Sequence, residues 1–166
     1  MDLLAPFHPQ ITHTPIVLII VSLVFDLLGR ALDREWWRKA AMAMLVLGVL
    51  GAGAAVLSGL PAGETAEHHG VPERAVDAHE DVGILTLWLG LATVIARLAA
   101  PRLKSVRGAL AGLALVLHVA TAVAVGVAAH RGGALVFAHG AAVRVKGAPV
   151  SERAVVQEPG PVEAHH

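Results

Sequence analysis

The chain has 166 residues, 55% of them hydrophobic and 16% charged, with a formal net charge of zero and a mean hydropathy of +0.65. That composition excludes an ordinary soluble domain, and the lack of a basic patch interleaved with aromatics excludes a nucleic-acid surface. The absence of cysteine excludes disulfides, thiolate metal sites, iron–sulfur clusters and haem attached through a Cys-x-x-Cys-His motif, so any metal must rest on nitrogen and oxygen donors.

Four apolar stretches follow in chain order, at residues 11–29, 40–60, 82–99 and 108–129. Crossing ~30 Å of hydrocarbon at ~1.5 Å per residue takes about 20 residues, so each is read as a spanning helix. No positive charge precedes the first stretch and no small-residue cleavage site follows it before Arg30, which makes it a retained helix rather than a signal peptide. The connector after it carries Arg30, Arg34, Arg38 and Lys39, and the connector between the third and fourth stretches carries Arg97, Arg102, Lys104 and Arg107. Both connectors are therefore expected in the cytoplasm. The connector between the second and third stretches holds Glu64, Glu67, Glu73, Asp77, Glu80 and Asp81 against Arg74. It is expected outside, with both termini, on the side that in a bacterium is the periplasm.

The predicted fold class is all-α: an integral-membrane, antiparallel four-helix bundle over residues 1–143, followed by a disordered tail over 144–166. Within 130–147 the sequence alternates weakly. Gly51, Ala55 and Gly59 in the second span, and Gly108 and Gly112 in the fourth, are candidate close helix contacts. Trp36 and Trp37 are read as interfacial anchors.

Of ten histidines, His165 and His166 stand at the end of the tail, and seven of the remaining eight lie at or beyond the outer face. Loop polarity accounts for His8, His69 and His130. His13, followed by Thr14-Pro15, opens the first span, and His79-Glu80-Asp81 opens the third, so these two imidazoles are the favoured site. If the second span continues past Pro61, Glu64 and His68 are related as i and i+4 with Glu67 beside them, which is metal-ligand spacing or the spacing of carboxylates that orient an imidazole. His118, ten residues into the fourth span and so ~15 Å deep, is an ionisable group near the bilayer midplane. Asp26 is expected to pair with Arg30.

The opening His8-Pro9, then His13-x-Pro15-Ile16, together with SGLPAGETAE, HEDVGILTL and FAHGAAV, resembles a family of small bacterial membrane proteins catalogued as domain of unknown function 2231. The resemblance covers most of residues 8–143; Thr14 stands where that family usually has an aromatic. It implies four helices in the bacterial inner membrane and no particular activity. The segment HEDVGILTLWLGL also resembles four-helix b-type membrane cytochromes, in which a helix-borne histidine before Gly-Ile-Leu is an axial ligand.

The leading expectation is a haem b-binding electron carrier, with His13 and His79 as axial ligands and His118 or His139 as alternates. A redox protein or quinone would be its partner in the bilayer, and oligomers are open. The competing expectation is a non-haem iron, copper or zinc site built from His13, Glu64, Glu67, His68, His79 and Glu80. A third is a cofactor-free subunit of a larger membrane complex. A hydrolase is disfavoured, since no Ser or Thr stands in a nucleophile context. Reporter fusions at Arg34 and Lys104 should read cytoplasm and one at Gly70 periplasm; the opposite pattern would invert the topology.

Overall fold

The computed structural model describes residues 3–145 and 148–149. Four helices dominate it: α1 (His8–Ala31), α2 (Glu35–His68), α3 (Glu73–Ala99) and α4 (Arg107–His139). Each is long and apolar enough to cross a membrane.

All four run beyond the apolar stretches that announce them. Pro9 falls in the first turn of α1, where the N–H it lacks would have had no helical partner. The acidic segment expected as a connector is mostly helix. α2 continues through Pro61, whose carbonyl accepts a bond from the Thr65 hydroxyl at 2.8 Å, and the turn before α3 is only residues 69–72. Gly70 makes that turn possible with a φ of 88°, a conformation that a β-carbon would strain. α4 continues to His139, so the weak alternation after residue 130 is helical and not extended. It ends at Gly140 with φ 68°, where Gly140 N–H reaches Val136 O and Ala141 N–H reaches Leu135 O, a left-handed cap that satisfies terminal carbonyls. Residues 144–145 pair antiparallel with 148–149, a short ladder inside the region expected to be a tail. The rest of that tail, His165 and His166 included, lies outside the described residues.

The helices pack along seams that repeat about every seven residues. In α1 the buried positions are Pro15, Ile19, Ser22, Asp26 and Gly29, and in α4 they include Ala114, His118, Thr121, Val125 and Ala128. Alternating steps of four and three keep one face toward a partner, as in left-handed bundles. Contacts connect each helix with its sequence neighbours, and α1 closes the ring against α4. The neighbours meet in opposite sequence order: Gly29 approaches Arg38, Gly48 approaches Ile19 and Gly59 approaches His8. Gly51 also behaves as expected, lying against Thr14 and Pro15, whereas Gly108 and Gly112 meet nothing within 4 Å. Those two do not contribute a helix contact within the chain.

Polarity is inverted relative to a soluble protein. Leu50, Trp88, Ile95, Val116 and Val123 are more than half exposed, while Ser22, Asp26, Ser58, Thr93, His118 and Thr121 are almost completely buried. A lipid-facing surface is what makes such an arrangement stable: outward side chains lose nothing to hydrocarbon, and inward hydroxyls find partners within the bundle. Thr93 and Thr121, for example, bond their own helices at Leu89 O and Leu117 O and lie 3.1 Å from one another. At the opposite end to His8, Trp37 packs edge-on to Phe25, with ring centroids 4.6 Å apart, and stacks on Trp36.

A β-carbon added at Gly48 would fall 2.8 Å from Ile19 Cγ1, but one at Gly53 would meet open space. Gly48→Ala should therefore cost about 1–3 kcal/mol through overpacking. Gly53→Ala should be neutral or stabilising by up to about 1 kcal/mol. Thermal unfolding of the detergent-solubilised protein reads both, and equal effects would contradict the packing described.

Candidate functional site

One end of the bundle is hollow. Between His8, Gly59, Gly63, His79 and Gly132 lies a cavity of about 590 Å³ to which all four helices contribute. It exists because the seam positions facing it are alanine and glycine (Ala52, Ala55 and Gly59 on α2; Ala128, Gly132 and Gly133 on α4), whereas Ile19, Leu45 and Val49 fill the bundle further in.

Two imidazoles stand in this cavity. The rings of His8 and His79 have centroids 6.1 Å apart and lie nearly perpendicular, at 80°. Each is wedged against a glycine on a neighbouring helix. A β-carbon at Gly59 would fall 2.9 Å from His8 Cε1, and one at Gly132 would fall 3.0 Å from His79 Cε1.

Hydrogen bonds hold both rings, and for His79 they fix which nitrogen carries the proton. His79 Nδ1 lies 3.0 Å from Ala128 O; a carbonyl only accepts, so Nδ1 is protonated and Nε2 keeps its lone pair. His8 Nδ1 lies 3.0 Å from Ser58 Oγ, and the Ser58 hydroxyl donates to Ala55 O at 3.1 Å. Ser58 therefore links His8 Nδ1 to the backbone of α2, where Ala55 also bonds the ring. Orientation of an imidazole through its far nitrogen is the usual preparation of a metal ligand.

The residues expected from sequence are distributed differently. His79 is in the cavity, and Glu80 lines it, its carboxylate lying over Gly63 so closely that a β-carbon there would displace it. His13 reaches only the rim: it is exposed, and its Nδ1–H bonds Pro9 O on its own helix at 2.7 Å. His8, attributed above to loop polarity, faces His79 instead. Its position one heptad before Pro15, on the seam that continues to Ser22 and Gly29, is the sequence signal that marks it. Glu64 and His68 do fall on the extended α2, yet both are exposed and neither lines the cavity. Glu67 is half-buried and also outside the lining. His139 borders a separate shallow pocket with Ala75 and Arg131, whose guanidinium donates to Ala78 O. Among the described residues no three His, Asp or Glu side chains gather to hold a metal ion.

His118 belongs to a second polar centre at the other end. It is fully buried, and its Nε2 lies 2.8 Å from Ser22 Oγ. The Ser22 hydroxyl donates to Ile19 O at 2.7 Å, so it accepts from His118 Nε2–H; Nδ1 lies 3.5 Å from Arg97 and 3.9 Å from Asp26 Oδ2. Arg97 also bonds Asp26 at 2.8 Å. The expected Asp26–Arg30 pair is present at 3.1 Å. One buried carboxylate thus holds guanidinium groups from α1 and α3, and His118 fills the space between them.

Four lipid-compatible helices around a polar interior define a multi-pass helical membrane protein. The family model described as "Predicted membrane protein (DUF2231)" matches residues 4–145, and the chain belongs to that family. No curated protein and no solved structure matches it.

Asp26→Asn would leave Arg97, whose side chain is 11% exposed, without its counter-charge. The expected loss is about 3–5 kcal/mol. Asp33→Asn, at a side chain 91% exposed, should change stability by less than about 1 kcal/mol. Thermal unfolding compares them; an unaffected Asp26→Asn protein would show that the ion pair is not structural.

Proposed function

We propose that this chain binds haem b between His8 and His79 and serves as an electron carrier of the bacterial inner membrane. In this reading the helices form an antiparallel bundle with the histidine end and both termini on the periplasmic side. The connectors rich in Arg and Lys lie in the cytoplasm.

The observation that carries the reading is the pair of oriented imidazoles 6.1 Å apart in a cavity lined by alanine and glycine. His8 and His79 would hold one iron between them, and about 2 Å for each metal–nitrogen bond plus about 1 Å from each nitrogen to its ring centre makes about 6 Å between ring centres. His79 Nε2 is free, its Nδ1–H being taken by Ala128 O. The donor set also favours haem over a bare ion. A bare zinc, copper or iron ion is usually held by three or four protein donors, and no such group assembles among the described residues. A porphyrin brings four nitrogens of its own and asks only two of the protein. When bound it would supply a one-electron couple, with His8 and His79 setting its ligation and the apolar helices excluding water.

The test is the absorption spectrum of the purified protein from haem-supplied cells. A Soret band that shifts on reduction is expected, lost in His8→Ala and in His79→Ala and kept in His13→Ala and in Glu64→Gln/Glu67→Gln. A colourless protein with stoichiometric metal, lost in the double Gln variant, would replace haem by a bare ion. A colourless, metal-free protein would leave a cofactor-free subunit.

A further inference from the structure

The arginine end of the bundle has more positive charge than its own acids can balance. Each acid there is already committed: Asp33 to Arg38, Glu35 to Lys39, and Asp26 to Arg30 and Arg97 together. The last cluster therefore keeps one uncompensated positive charge at the edge of the hydrocarbon, where an unbalanced charge is costly. Arg30 bonds Asp26 through Nε, and its side chain is 35% exposed, which leaves its terminal N–H groups available to an anion. At the same end Arg34, Lys104 and Arg107 are exposed and have no acidic partner among the described residues. Trp36, 57% exposed, stands at the same end, and an amphipathic indole settles at the headgroup level.

We propose that this end is a docking surface for the phosphate of anionic phospholipid headgroups, with Arg30, Arg34, Lys104 and Arg107 as the contacts. Guanidinium groups suit it because their planar donors match phosphate oxygens two at a time. A lipid phosphate supplies the missing negative charge at the depth where Arg30 emerges. Its attraction to juxtamembrane Lys and Arg falls off within a Debye length. The inference rests on the membrane-spanning arrangement above and is independent of haem.

Full-length protein is reconstituted in vesicles of phosphatidylcholine mixed with phosphatidylglycerol, and insertion is checked by resistance to alkaline extraction. Spin-labelled phosphatidylglycerol and phosphatidylcholine then report the lipids held at the protein surface. Phosphatidylglycerol should associate at least about threefold more strongly than phosphatidylcholine at low salt. The preference should fall toward one at high salt, and in Arg34→Gln/Lys104→Gln/Arg107→Gln, whose unchanged helix content shows that the bundle persists. Equal association of the two lipids, or a preference that survives the triple substitution, overturns the proposal. So does displacement of phosphatidylglycerol by inorganic phosphate at matched ionic strength, which would make the site one for free phosphate. Protein removed by alkali would instead overturn the spanning arrangement itself.

Discussion

The spacing of small and polar residues along the inward seams of four apolar helices governs the rest of this structure. In hydrocarbon there is no water to drive apolar faces together, so helices associate only where backbones approach closely or side chains bond across. Gly29, Gly48, Gly51 and Gly59 let α2 lie against α1 along its length, and the step of seven keeps the same faces in contact from one end to the other. A helix with its small residues out of that phase would have had no inward face to offer.

The same seams set where the polar chemistry sits. At the arginine end they hold Asp26, Arg97, His118 and Ser22, which satisfy one another completely; among the described residues no buried side-chain polar atom lacks a partner. At the other end they hold His8 and His79, and here the bonding leaves something over. Ser58 and Ala128 O lie at the Nδ1 positions, which leaves His79 Nε2 free in a space that alanine and glycine keep open. His118 is closed in by its neighbours, whereas His79 is presented to a cavity. The contrast is one of seam composition: Gly59 and Gly132 admit rings at one end, whereas Ile19 and Leu45 fill the core further in.

An imidazole buried as His118 is would cost several kcal/mol without partners, and Ser22, Arg97 and Asp26 together remove that cost. His118, the residue that sequence most strongly singles out as out of place, is therefore accounted for by bonds within the bundle. The less conspicuous His8, close to the start of the chain, is the one that faces His79.

Sequence alone determined the class of this protein, because span length and charge asymmetry are properties of the chain read one residue after another. It identified four apolar helices and their family, and it singled out His79 and Glu80 at the start of α3 and the Asp26–Arg30 pair, which a single helical turn brings together. Only the tertiary structure decided that His8 and not His13 faces His79, since the two lie on different sides of α1 and the choice belongs to whichever side α2 covers. It also decided that Glu64 and His68, though correctly spaced on one helix, point away from the cavity, and that Arg97 crosses from α3 to Asp26. Those outcomes depend on how helices are rotated about their axes against one another. That rotation is fixed by the packing of all four seams at once, and no local stretch of sequence records it.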